Sequence, residues 1–152
     1  MSQCRLCRIA AIEKRWKWRS RMVAISEKMQ TADWKKEKHV PVIEAPDTVA
    51  ADELFDVKVS LGYELVHPNT TEHHIRWITL YFHPNEAKFP YEVARVDFTA
   101  HGESAEGPNQ GPVYTHHAVT TVLKTAVSGT LEAVAYCNIH GLWHSTKEIA
   151  VR

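Results

Sequence analysis

The chain has 152 residues, 44% hydrophobic and 24% charged, a composition typical of one folded domain and not of a disordered segment. Eighteen Lys and Arg balance eighteen Asp and Glu, so no net charge draws the protein to nucleic acid or to a membrane. The sequence lacks the run of about eighteen apolar residues that a spanning helix needs. Three cysteines are too few for a disulfide framework, and their odd number indicates a reducing, cytoplasmic compartment. Ten histidines are many for this length, and they indicate where function should be sought.

The first 28 residues differ in charge from the rest of the chain. Residues 1–28 hold eight Lys or Arg against two acidic residues, whereas residues 29–152 hold ten against sixteen. We predict a basic extension over 1–28, flexible or helical, ahead of one domain over 29–152. A surface helix contacting acidic lipid or RNA, a flexible tail, and translation from upstream of a natural start at Met29 all remain open. Cys4 and Cys7 form a CxxC motif, which is half of a tetrahedral metal shell, and no second pair follows.

From residue 29 onward the pattern is that of β-strands. Residues 54–61 alternate, with Phe55, Val57 and Val59 on one face, as expected for a half-buried strand. Residues 75–82 are apolar on both faces, which is typical of a central strand of a sandwich. The other predicted strands are 93–100, 116–123, 130–137 and 147–151. Turn sequences rich in Pro, Gly and Asn separate these segments, and no amphipathic helix is evident. The pattern therefore predicts an all-β, antiparallel sandwich of about seven strands.

Histidine and cysteine residues cluster at the predicted junctions of strands and loops. His39 precedes the first strand, His67 and His73 flank one loop, and Cys137 and His140 follow the penultimate strand. Rigid strand ends can direct such side chains toward one point. Structural zinc closes at four ligands, whereas four imidazoles, one thiolate and a free position suit a redox metal, iron before copper.

The remaining histidines are predicted to have other roles. His74 follows His73 directly and should point to the opposite side of an extended chain. The others lack a partner at ligand spacing and are interpreted as surface or hydrogen-bonding residues: His83, His101, His116, His117 and His144.

Three segments together resemble a known family. The sequences EKHVPVIE, HPNTTEHHIRWI and CNIHGLW look like those of the superoxide reductases of the one-iron neelaredoxin type, in the desulfoferrodoxin iron-binding family. The similarity covers roughly residues 29–152. It implies an immunoglobulin-like sandwich of seven antiparallel strands with Greek-key connections, holding one mononuclear non-haem iron. The implied ligands are equatorial His39, His67, His73 and His140 with axial Cys137.

The resemblance also implies two catalytic residues and a reaction. Glu37 matches the glutamate that occupies the sixth position of the ferric form, and Lys38 matches the lysine beside the open position. Superoxide would be reduced by one electron to hydrogen peroxide, and a rubredoxin-like donor would restore the ferrous state. Dimers or tetramers are common in the family. Cys4 and Cys7 alone do not supply the four-cysteine module of its two-iron members.

Two other classes of β-sandwich are alternatives. A cupredoxin-like electron carrier also has Cys and His on a late loop, but its weak axial ligand is commonly Met, and Met29 is the last methionine here. An immunoglobulin-like adhesion domain would be extracellular and usually has a cysteine pair between its sheets.

Overall fold

The computed structural model describes residues 23–152, which form two packed β-sheets. Within this range there are eight strands and one 3-10 turn, Ile25–Lys28. The strands are β1 Val42–Glu44, β2 Thr48–Val49, β3 Leu54–Ser60, β4 Ile75–Pro84, β5 Tyr91–Asp97, β6 Ala118–Lys124, β7 Gly129–Cys137 and β8 Gly141–Val151. One sheet has the order β1-β3-β6, and the other has the order β2-β8-β7-β4-β5.

The core lies between the two sheets because each strand presents one apolar face to the opposite sheet. On β3, Phe55 and Val57 are buried, and Asp56 between them is exposed. The larger sheet contributes side chains of the same kind: Ile78, Leu80, Leu131 and Ile149. Side chains from two inner faces that interdigitate in this way are the normal core of a β-sandwich.

The predicted all-β fold is confirmed, and β4 has the central place expected from its apolar faces, since it pairs with both β5 and β7. The structure has eight strands and not seven. The sequence did not predict β1 and β2, which have only three and two residues. Strands of two or three residues are too short to show an alternation of buried and exposed residues. Strand β2 also pairs parallel to β8, so the larger sheet is mixed.

Strand β8 begins at Gly141, six residues before the predicted start at 147. The reason is the tight turn 138–140, which joins β7 to β8 as a hairpin with Cys137 opposite Gly141. Gly141 has φ +78, a left-handed conformation that glycine adopts without steric cost. Strand β5 ends at Asp97, so the predicted residues 98–100 lie outside it.

The fold places three chain segments at the same end of the sandwich: the stretch before β1, the β3–β4 loop, and the β7–β8 turn. Gln30 also lies at this end. Its backbone forms hydrogen bonds with Leu142 and His144, and so it pairs with the edge of β8 as a single-residue bridge. Most of the predicted extension, including Cys4 and Cys7, lies outside the described residues. Within the described part of the chain, no helix has the length and apolar character needed to cross a bilayer.

Candidate metal centre

Four predicted ligands meet at this end of the sandwich. One donor atom from each of His39, His67, His73 and Cys137 lies within 4.8 Å of the donors of the other three. His39, His67 and Cys137 are buried, and His73 is half-buried. Residues from three separate stretches of the chain thus converge at one point.

The rings of His39 and His67 are fixed by bonds on their far edges. His39 Nδ1–H donates to Glu37 Oε1 at 2.5 Å, and His67 Nδ1–H donates to the Pro68 carbonyl at 2.6 Å. The Nε2 atoms of both rings are buried and have no hydrogen-bond partner among the described residues. Buried polar atoms are rarely left unpaired, and metal-binding histidines characteristically donate their other ring nitrogen in this manner. The two unpaired nitrogens therefore fit a metal ion.

His140 completes the predicted set from the exposed side. Its Nδ1 lies 3.2 Å from His73 Nε2 and 3.6 Å from Cys137 Sγ, so it would offer Nδ1 where His39 and His67 offer Nε2. The backbone N–H of His140 also points at the sulfur, with the nitrogen 3.5 Å from Sγ. The short turn thus brings a ring nitrogen and an amide donor to the same sulfur.

Three histidines of the group, His39, His67 and His73, are held in the neutral form. Burial lowers the pKa of His67 to about 3, against the opposing effect of the Pro68 carbonyl. Burial also lowers the pKa of His39 and of His73, and the positive charge of Lys38 contributes to both shifts. At neutral pH these rings therefore keep their lone pairs, which is the state that binds metal.

Neighbouring residues that the sequence did not single out hold the ligands in place. Trp143 stacks on His39, with ring centroids 5.2 Å apart, and its Nε1–H donates to the His140 carbonyl at 3.3 Å. Gly62 has φ +71, and a Cβ there would lie 2.6 Å from the backbone nitrogen of His67, so the loop can approach this closely only with glycine. Trp143 belongs to the CNIHGLW motif, which could have identified it, whereas Gly62 lies outside the three motifs.

In this structure Glu37 contacts the edge of the His39 ring that carries Nδ1, and not the Nε2 atom. Its carboxylate accepts bonds from both the ring and the backbone N–H of His39. Burial raises the pKa of Glu37, but these bonds outweigh it and the net pKa is lowered. Glu37 thus acts on the outer edge of a ligand ring, and its expected place as a sixth ligand stays a prediction. Lys38 is half-buried beside the group, near enough for its charge to affect His39 and His73.

The other histidines lie outside the group. His74 points away from it, donates through Nδ1 to the Thr70 carbonyl and stacks on His101 with centroids 3.7 Å apart. His83 and His144 each bond to a different oxygen of Glu132 on the outer face of the larger sheet. His117 is buried against His67, and His116 is exposed.

Fold and site together define a β-sandwich protein with a mixed imidazole and thiolate centre at one end. The sequence model of the Desulfoferrodoxin family matches residues 31–146, and the chain belongs to that family.

Relatives of the chain support this assignment at high identity. The chain is 63% identical over 123 residues to a neelaredoxin of Megalodesulfovibrio gigas, covering 81% of this chain and 95% of that protein. It is 57% identical over 121 residues to a superoxide reductase of Pyrococcus furiosus, covering 80% and 95%. Its fold is similar to the crystal structure of a provisionally assigned superoxide reductase from Thermotoga maritima, with a TM-score of 0.84 and 55% identity over 86% of this chain and 99% of that one.

The family resemblance read from the three motifs is therefore confirmed, and the proteins similar to this chain are superoxide reductases. These similarities support neither the cupredoxin-like carrier nor the adhesion domain.

Proposed function

We propose that this protein is a superoxide reductase, which converts superoxide to hydrogen peroxide at one non-haem iron. The observation that carries the proposal is the pair of buried, unpaired Nε2 atoms on His39 and His67, directed into a group that also contains a cysteine sulfur. The activity is assigned to a domain over residues 29–152. The proposed ligands are His39, His67, His73, His140 and Cys137.

The donor set favours iron. Closed zinc sites use four ligands, and blue-copper sites use two histidines, a cysteine and a weak axial ligand. Four imidazoles and one thiolate leave a sixth position free for a small substrate. Ferrous iron held by these five ligands would supply the single electron that superoxide needs. Superoxide, one electron and two protons together give hydrogen peroxide, so no dioxygen is formed.

The residues around the group have separate tasks in this proposal. The ammonium of Lys38 attracts the superoxide anion and raises its rate of encounter, an effect that salt weakens. Glu37 keeps the His39 ring in one tautomer with Nε2 free. The His140 backbone N–H, close to Cys137 Sγ, moderates the charge that the sulfur donates.

The reaction also requires a second partner. Each turnover consumes one electron, which an external donor must return to the protein. We propose a rubredoxin-like protein for this role, acting in the cytoplasm on a dimer or tetramer of this chain. The family resemblance supports the donor and the oligomer, and the odd number of cysteines supports the reducing, cytoplasmic compartment.

Rapid mixing tests the proposal directly. The metal content of the purified protein is measured first. The protein is then reduced and mixed with superoxide while its visible absorption and the peroxide formed are followed. We expect about one iron per chain, oxidation in a second-order step, and one peroxide per superoxide consumed. Stoichiometric copper in place of iron, or oxidation with no peroxide, would refute the assignment.

A further inference from the structure

The two ligand-bearing loops are joined by one side chain, that of Asn138, which lies between Cys137 and His140. Its Oδ1 accepts a bond from the His74 backbone N–H at 2.9 Å, and its Nδ2 donates to the Glu72 carbonyl at 2.8 Å. Its own backbone N–H donates to the His74 carbonyl at 3.2 Å. All three bonds therefore end on the residues immediately before and after His73.

The regular sheet cannot supply this connection. Pairing of β4 with β7 begins at Ile75 opposite Cys137, and the register shifts before Trp77. Residues 72–74 lie beyond the end of that ladder, so nothing in the β4–β7 pairing fixes His73 against the cysteine. Asn138 continues the connection past the last pair, with an acceptor facing an N–H and a donor facing a carbonyl.

The amide is well suited to this task. An aliphatic side chain at 138 would leave the Glu72 carbonyl and the His74 N–H without these partners. A carboxylate would keep an acceptor for His74 but would place an oxygen against the Glu72 carbonyl. Only a side chain with one donor and one acceptor on the same short stem matches both backbone groups.

We propose that Asn138 is a positioning residue of the metal centre, which holds His73 in register with Cys137 and so sets the arrangement of donors around the ion. The inference rests on the proposed metal site. It assigns Asn138 no contact with substrate. Its role differs from that of an ordinary turn residue, because its loss should alter the metal's surroundings and not only the stability of the turn.

Binding of Co²⁺ provides a readout that does not depend on activity. The metal-free protein is titrated with Co²⁺ against a competing chelator, and the sulfur-to-cobalt absorption is recorded. Asn138→Ala should weaken Co²⁺ binding by about 10- to 100-fold, the usual effect of losing a residue that orients a ligand, and should shift that absorption. Ile139→Ala is the matched control, because Ile139 is in the same turn, 60% exposed, and should keep the original affinity and spectrum.

Asn138→Asp covers the case in which the alanine variant does not fold. It preserves the shape of the side chain and the acceptor for His74 but loses the donor to Glu72, so the same shift in absorption is expected. Variants with unchanged affinity and spectrum, or an equal loss in Ile139→Ala, would overturn the positioning role alone. Failure of the unaltered protein to bind Co²⁺ would overturn the metal centre and this role with it.

Discussion

Protonation of one buried histidine should make the metal-free protein sensitive to acid. His117 packs against His67 with ring centroids 5.6 Å apart, and burial lowers its pKa from 6.5 to about 4, with smaller contributions from the positive charges of His116 and His101. In the unfolded chain the same imidazole has an ordinary pKa. Between about pH 6.5 and 4 the unfolded chain therefore binds more protons than the folded one, and stability falls as the pH falls.

The size of the effect follows from these two pKa values. Between about pH 7.5 and 5, proton linkage at His117 alone removes about 2 kcal/mol from the free energy of unfolding. His117→Gln cannot take up the proton, so its free energy of unfolding should fall by about 2 kcal/mol less than that of the unaltered protein over the same range. The other histidines are present in both proteins, and only His67, whose pKa His117 helps to lower, is affected by the substitution.

Urea unfolding of the metal-free protein at the two pH values measures this difference. The absence of metal prevents competition between protons and the ion at the ligands. His116→Gln is the control, because His116 is exposed and adjacent, and it should follow the unaltered protein closely. Equal losses in His117→Gln and in the unaltered protein would refute the linkage to His117.

Three further substitutions test the assigned roles. Cys137→Ser should abolish both superoxide reduction and the sulfur-to-iron absorption, and a variant that kept the band would show that the sulfur is not a ligand. Lys38→Ala should slow the second-order reaction with superoxide by up to about tenfold and flatten its dependence on salt, as stopped-flow rates at several ionic strengths would measure. Glu37→Ala should weaken Co²⁺ binding about tenfold, because the Nδ1–H of His39 loses its acceptor. Unchanged affinity with an altered ferric spectrum would instead indicate that the carboxylate acts on the metal itself.

The fold was largely predictable because buried and exposed residues alternate along the strands of a sandwich. Residues 54–61 matched β3 to within one residue, since each buried Val there has a polar neighbour. The failures have physical causes. Strands β1 and β2 are too short to show a periodic pattern. The early start of β8 depends on a hairpin, and the polar residues 144–148 do not indicate a strand there.

The four residues that the structure brings together could be selected from the sequence, but their surroundings could not. His67 and Cys137 could be selected because histidine and cysteine recur at strand ends. The contact of Glu37 with the outer edge of His39 depends on side-chain rotamers, which spacing along the chain does not determine. The connection made by Asn138 depends on which loops meet across the sandwich, a property of the tertiary fold.

The unequal depth of the proposed ligands has a consequence for how a metal ion would enter and leave the site. His39 and His67 belong to the sealed interior, whereas His73 and His140 form a solvent-facing rim. An incoming ion would therefore meet the rim first and shed its hydration as the inner nitrogens replace water. Loss of the ion would follow the reverse order, so water would replace the inner nitrogens first and a chelator would take the ion from the two outer rings.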